Sequence, residues 1–301
     1  MDEALRVRGL TKTYGQRRAA DGVSFHADAG RITAVLGRNG AGKTTTLECC
    51  TGLRTPDAGE IVVLGRPRTR ANDPWLREHV GVMVQQGGLP MAPRARQVLQ
   101  HVASLHRHPA DLDSLVGALS LADVMDTPVR HLSGGQRQRL AVACALVGRP
   151  RLAFLDEPSS GVDPHARRDA WELLRTHRDG GAAVVLTTHH IAEAEELADH
   201  VVILDGGHVV AAGSVPELAH GHTLTLAALA DPARAAGVVA RFAPCQVSAD
   251  GVVTALLPHA DVATTHELAG ALAAAGESGA RFTLARRTLE SVYLDLTRDT
   301  E

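Results

Sequence analysis

The sequence predicts an α/β protein with a predominantly parallel core sheet, followed by a smaller α+β unit. Three observations predict it. A glycine-rich loop, Gly37-Arg38-Asn39-Gly40-Ala41-Gly42-Lys43-Thr44, stands between an apolar strand-like run, Ile32 to Leu36, and a helix-like segment, Thr45 to Cys50. That is the strand–GxxxxGK[ST]–helix order of a phosphate-binding loop. From there to Val210, apolar strand runs alternate with helical spacing, which argues a parallel sheet with crossover helices. Beyond a boundary at Gly213 to Gly221 the order becomes βαββαβ, a ferredoxin-like arrangement.

The elements follow in order along the chain. Leu5 to Leu10 alternates as a strand, and a second strand surrounds Val23-Ser24-Phe25. Gly59 to Leu64 reads as a strand and Val80 to Val84 as a buried one. Between Arg94 and Met125 the apolar spacing turns helical, as at Val98, Val102 and Leu105, with Pro109 and Pro128 as punctuation. A helix from about Gly135 to Val147 leads to strand Arg151 to Leu155, and Pro164 opens a further helix with Ala166, Ala170, Leu173 and Leu174 on one face. Strand Ala182 to Leu186, helix Ala192 to Ala198 and a hairpin from Val201 to Val210 around Gly206-Gly207 close the first unit. In the second unit, strand 223–229, helix 232–241, strands 245–248 and 252–257, helix 266–275 and strand 281–285 precede a last helix, Thr288 to Thr297.

Composition excludes several function classes. A net charge of −3 and an aromatic content of 3% offer neither the basic footprint nor the stacking platform of a nucleic-acid binder, so no nucleic-acid partner is expected. The start Met1-Asp2-Glu3-Ala4-Leu5-Arg6 lacks the apolar centre of a signal peptide, and runs such as Ala141 to Val147 are far short of a membrane span. Any membrane role is therefore expected through a partner chain. Cys49, Cys50, Cys144 and Cys245 lack zinc-type spacing and read as buried small hydrophobes in a reducing compartment. His101, His106 and His108 read as a solvated helix end.

Three motifs carry chemistry. Gly37, Gly40 and Gly42 let successive backbone N–H groups turn inward on an anion, the following helix adds its positive end, Lys43 brings a full charge to the β- and γ-phosphates, and Thr44 is placed to ligate Mg²⁺. The only other lysine is Lys12. Arg151-Leu152-Ala153-Phe154-Leu155-Asp156-Glu157 is an apolar strand ending in two acids. Behind a phosphate loop, Asp156 suits the metal and Glu157 suits the general base that activates water; alone, the pair would read as solvated carboxylates. Leu132-Ser133-Gly134-Gly135-Gln136 precedes a helix and makes a second anion site, though alone it could be a capping turn. A second phosphate-binding element in one chain is explained by a head-to-tail homodimer, in which Ser133 and Gly135 of each copy close over the γ-phosphate of the other.

With these motifs in this order, the chain resembles the nucleotide-binding subunits of ABC (ATP-binding cassette) transporters over roughly residues 3–218. The resemblance implies a cassette at 1–218, with an antiparallel β subdomain and a helical signature subdomain at about 90–148, and an accessory domain at 219–301. It implies ATP and Mg²⁺ as ligands, with Tyr14 stacking on adenine and the loop through Thr45 taking the phosphates. Ser133, Gly134, Gly135, Gln136 and Asp163 would meet the nucleotide across the dimer, Asp163 ending the D-loop Ser160-Gly161-Val162-Asp163. Gln85 would touch Mg²⁺ and the attacking water, and His189 the γ-phosphate. Gln85 and His189 are chosen over their neighbours Gln86 and His190 because the family's glutamine directly ends its strand and its histidine directly follows Leu186-Thr187-Thr188.

The ending Thr288 to Thr297, and Thr188-His189-His190 with Glu193-Ala194-Glu195, resemble the daunorubicin-resistance type of bacterial exporter ATPase. That implies an ATP-hydrolysing subunit at the cytoplasmic face of the membrane, driving export of a drug-like or lipid-like amphiphile through a separately encoded permease. The alternative is a soluble ABC ATPase acting on a cytoplasmic macromolecule. A small-molecule kinase fits worse, having no use for Leu132 to Gln136, and so does an ATP sensor, given Glu157 and His189.

Overall fold

The computed structural model of the protein describes residues 2–85 and 88–297. Contacts divide the chain between Val215 and Pro216 into two units.

The first unit is built on a six-stranded sheet. Its strands are β3 (Ile32–Leu36), β6 (Val80–Met83), β7 (Leu152–Asp156), β8 (Ala183–Thr188), β9 (His200–Asp205) and β10 (His208–Gly213), in the order β10-β9-β3-β8-β7-β6. All neighbours are parallel except the β9–β10 hairpin. Strands β3, β7 and β8 are buried along their whole length. This is why they read as continuous apolar runs: a parallel strand is covered on both faces. Helices α1 (Lys43–Thr51), α2 (Asp73–His79), α6 (Pro164–Asp179) and α7 (Ile191–Leu197) belong to this unit, as do α3 (Ala95–Ser104), α4 (Leu112–Ala118) and α5 (Gly134–Leu146) of the predicted helical segment.

An antiparallel sheet of β1 (Glu3–Tyr14), β2 (Arg17–Asp28), β4 (Ala58–Val63) and β5 (Arg66–Pro67), ordered β2-β1-β4-β5, completes the unit. Leu5, Val7 and Leu10 from this sheet share one core with Phe154, Val185 and Val202 of the parallel sheet and Cys49 of α1. The parallel sheet thus aims the C-terminal ends of β3, β7 and β8 toward one edge, where ligands bind in open α/β sheets.

Two expectations are corrected. The strand expected as a buried one over Val80 to Val84 ends at Met83 and, at the edge of the sheet, is buried only at Met83, with Val82 exposed; Gln85 lies in a bend two residues past it and does not terminate the strand, and Gln86 lies outside the described residues. Cys49 and Cys50 are buried, but Cys144 and Cys245 are only half-buried. Burial pushes the Cys49 thiol up to about 11 and the Cys144 thiol up to about 12.

The second unit opens within α8 (Val215–Leu218) and contains β11 (His222–Ala227), α9 (Pro232–Val239), β12 (Cys245–Val247), β13 (Val253–Leu257), α10 (Val262–Ala274), β14 (Arg281–Arg286) and α11 (Leu289–Thr297). Its antiparallel sheet runs β12-β13-β11-β14. Leu224, Leu226 and Val253 of the sheet pack with Ala235 and Val239 of α9 and Leu268 and Leu272 of α10.

One buried acid ties this unit's connections. Glu277, 4% exposed, follows α10 and accepts the backbone N–H groups of Ala230 and Asp231, each at 2.8 Å. Asp231 in turn caps α9 by accepting the Arg234 N–H at 3.1 Å. Replacing Glu277 by leucine should destabilise the unit by ~2–4 kcal/mol, since two backbone donors lose their acceptor at once. Chemical denaturation of the full chain checks this, and an unchanged midpoint for the second unit would refute it.

Candidate functional site

The phosphate loop leaves β3 and enters α1 through Gly42, which caps the helix with φ 100°. A Cβ at Gly42 would lie 2.1 Å from the Ala19 carbonyl oxygen, so backbone angle and space both demand glycine. No acidic residue occupies the first turn of α1, so the helix presents its positive end to the loop uncompensated. The loop is braced from three sides. Gly37 N–H donates to Thr188 O at 3.3 Å, Gly207 N–H to Ala41 O at 3.1 Å, and the Arg17 guanidinium to Gly40 O at 2.7 Å. Arg38, Asn39 and Gly40 are exposed, while Ala41 and Lys43 are buried and Thr44 and Thr45 half-buried. Lys43 Nζ folds back to donate to Gly37 O at 2.8 Å and Arg38 O at 3.2 Å.

Two acids stand beside this loop, Asp156 as the last residue of β7 and Glu157 just after it. Asp156 is 2% exposed, and burial pushes its carboxyl above the usual range, opposed by hydrogen bonds from Thr187 and Thr44. Glu157 has φ 50°, a left-handed backbone that few non-glycine residues adopt. Its Oε1 lies 3.6 Å from Lys43 Nζ and 3.1 Å from His189 Nδ1. Burial likewise pushes Lys43 below its ordinary value, opposed by Glu157. One carboxylate oxygen therefore stands between the loop lysine and the histidine that follows β8.

Thr187 holds the pair in place, and sequence reasoning missed it. Its hydroxyl donates to Asp156 Oδ1 and accepts the Glu157 N–H at 3.0 Å, and that N–H also reaches the Thr187 carbonyl at 3.1 Å. The signal was available: a hydroxyl in an otherwise apolar buried strand needs a partner. Gln138 of α5, donating to the Glu157 carbonyl, and Arg17 were missed as well.

The other expected residues lie around this centre. Tyr14, 40% exposed, has the Arg54 guanidinium 5.3 Å and Lys12 Nζ 5.9 Å from its ring. Gln85, Thr44 and Asp156 line one cavity of about 270 Å³. Its donors are all oxygens around a single buried acid, a hard set suited to Mg²⁺ that keeps phosphate oxygens and water among its ligands. Among the described residues no salt bridge reaches Asp156 and no group of three metal-ligating His, Cys, Asp or Glu side chains forms. Ser133 caps α5, its hydroxyl accepting the Gln136 N–H at 3.1 Å while the Gln136 side chain accepts the Ser133 N–H at 2.8 Å. Gly134 opens that helix. Gly135 lies so close to the loop before α6 that a Cβ there would sit 2.9 Å from the Gly161 carbonyl. Asp163 caps α6 by accepting the Ala166 N–H at 3.0 Å. No hydrogen bond or ion pair among the described residues joins 133–136 or Asp163 to the phosphate loop. His190 donates its backbone N–H to Thr188 Oγ1 at 3.0 Å, and burial lowers its ring below the ordinary histidine range.

Two outcomes follow from this geometry. Thr187→Val should destabilise the chain by ~1–3 kcal/mol through the stranded Asp156 oxygen, and Thr187→Ser should restore most of it, as read by chemical denaturation; equal midpoints for valine and threonine would refute the bridge. For Asp156 the folded pKa is raised, so its stabilising contribution is complete below the unfolded value of 3.8 and is lost as pH rises through the folded value. Asp156→Asn should therefore raise the melting temperature of the nucleotide-free chain at neutral pH, by ~2–4 °C per kcal/mol relieved, with the gain fading in acid. An asparagine variant that melts below the wild type at neutral pH overturns this.

Comparison with known proteins agrees with the geometry. The ABC transporter family profile matches residues 20–160. Daunorubicin resistance ATP-binding protein DrrA3 of Streptomyces coeruleorubidus is 36% identical over 309 aligned residues, covering 99% of this chain and 97% of that protein. Nod factor export ATP-binding protein I of Rhizobium meliloti (strain 1021) is 35% identical, covering 98% of this chain and 88% of that protein. A solved ATP-binding subunit of an ABC transporter superposes with a TM-score of 0.66 at 29% identity, covering 71% of this chain and 91% of that one. The chain belongs to the ATP-binding subunits of ABC transporters, and it is an ATPase of that family.

Proposed function

We propose that two copies of this chain hydrolyse ATP at their shared interface and drive export of a drug-like or lipid-like amphiphile through a separately encoded permease, at the cytoplasmic face of the membrane. The observation that carries the reading is the position of Glu157 between Lys43 and His189. In this reading Glu157 takes the proton of the attacking water, Lys43 and His189 stabilise charge on the γ-phosphate, and Gln85 orients the water. Thr44, Asp156 and Gln85 would hold Mg²⁺, which would supply neutralising charge at the phosphate oxygens. Tyr14, on an exposed strand end flanked by two cations, stacks on adenine.

Support for the dimer comes from the second anion site. Among the described residues the Ser133 hydroxyl accepts a hydrogen bond but donates none, and the first N–H groups of α5 lack helical partners. Since none of these groups is joined to its own chain's phosphate loop, a twin supplies the phosphate. Asp163 accompanies them. Support for a permease comes from the surface beside Gln85, where Val82 and Met91 are exposed at 38% and 47% around a cavity of about 520 Å³. Among the described residues no helix is long and apolar enough to cross a membrane. The cargo class rests on what the names of the two relatives say of those proteins, resistance to daunorubicin and export of Nod factor.

Glu157→Gln should lower the hydrolysis rate by ~10²–10⁴-fold, the range of a lost general base, and should accumulate an ATP-bound species of twice the monomer mass in light scattering. Wild-type hydrolysis by this variant would refute the base. A monomer under those conditions would refute the paired site.

A further inference from the structure

Behind the site lies a buried acid with no assigned task. Glu193, in the first turn of α7, is 1% exposed. Its Oε1 accepts the indole N–H of Trp171, on α6, at 3.0 Å. Its Oε2 has no hydrogen-bond partner among the described residues. A carboxyl removed from water and bonded once is unfavourable, and an apolar side chain of similar size would fill the same space at less cost. A site of this kind needs a reason other than stability.

The sequence spacing suggests an ordinary one, which the structure rejects. With His190 as the cap residue of α7, Glu193 stands at the third helical position, where a glutamate usually reaches back to the cap N–H. Here that N–H is already taken by Thr188 Oγ1 at 3.0 Å. Glu193 instead turns across to α6. A second tie runs parallel: the Arg175 guanidinium of α6 donates to the Glu196 carbonyl and carboxyl of α7, both at 2.9 Å. The first turn of α7 is closed by Glu193 N–H donating to His190 O at 3.1 Å. Immediately before it stands His189, 3.1 Å from Glu157.

We propose that Glu193 is a positioning residue for ATP hydrolysis: anchored by Trp171, it fixes the first turn of α7 against α6 and so fixes the aim of His189 at Glu157. It acts through His189 and touches neither nucleotide nor water. The α6 end of the anchor begins at Asp163, so the helix that orients the histidine is the one whose start faces the partner copy in the proposed dimer. The inference rests on the roles given above to Glu157 and His189.

The test compares full-length Glu193→Met, Glu193→Gln and Trp171→Phe with Glu157→Gln and the wild type. Glutamine still offers the indole an acceptor; methionine removes the acceptor with little change of volume, and phenylalanine removes the donor together with the indole's second ring. Glu193→Met and Trp171→Phe should each lose about ten- to hundredfold in kcat with KM for ATP unchanged, the scale of a small misplacement of a reacting group, while Glu193→Gln stays near wild type. Glu193→Met should melt no lower than wild type, because it removes a buried, half-satisfied acid. The chain has two tryptophans, so Trp75→Phe leaves Trp171 as the sole indole emitter, and adding Glu193→Met should shift its emission to the blue.

Wild-type kcat in Glu193→Met, an unmoved Trp171 emission, or a rate loss that only tracks a fall in melting temperature would each overturn the proposal. If Glu157→Gln is inactive while Glu193→Met is fully active, positioning alone fails. If Glu157→Gln hydrolyses ATP normally, the reading of the site fails and takes this inference with it.

Discussion

Two carboxyls, Asp156 and Glu157, are carried out of water on adjacent residues at the end of an apolar strand, and the surrounding architecture answers that burden. The answer is assembled from separate elements. The lysine comes from the helix after β3, the histidine and the bridging threonine from β8 and the residue after it, and a glutamine side chain from α5. None of these groups neutralises the pair completely. Asp156 is held above its ordinary range and Lys43 below its own, burial being the larger cause of both.

The backbone shares that burden. Glu157 adopts a left-handed conformation although it is not glycine, and its N–H is fixed twice by Thr187. Strain of this kind persists where neighbouring groups over-determine it, and such places cluster at functional sites. The close approach at Gly135 is the second constraint of this kind. It lets the start of α5 rest against the loop that leads to Asp163, so two segments expected to face the same partner molecule are packed together in advance.

How far the sequence revealed this depends on the physical origin of each part. The glycine-rich loop, the all-buried strands β3, β7 and β8 and the antiparallel order of the second unit were legible, since each is set by local pattern: glycine at a close approach, unbroken apolar runs, turn residues between alternating strands. Asp156 and Glu157 were legible because they end such a run. Thr187, Gln138 and Arg17 were not, because each acts through a contact between elements far apart in the chain: a short window shows that a hydroxyl in a buried strand needs a partner, but not which one. The shortened strand before Gln85 has a similar cause: β6 is the edge of the sheet and pairs only with β7, so its extent is fixed by that partner and not by its own residues. Glu193 was visible only as part of Glu193-Ala194-Glu195 in a family resemblance; its turn toward Trp171 is a contact between two helices, and the occupied N–H of His190 shows why it does not cap α7.

The strand order also bears on how the protein is made. Ile32 of β3 pairs with Val184 of β8, and Thr33 with His200 of β9, so the strand that carries the phosphate loop has no sheet neighbours until most of the first unit has left the ribosome. The β1–β2 pair and its β4 neighbour are available far sooner. During synthesis, an apolar strand of five residues therefore waits uncovered, the situation in which nascent chains stick to one another and chaperones bind. Within the first unit the nucleotide pocket is among the last features to close, since a chain that ends before β8 lacks both strands that flank β3.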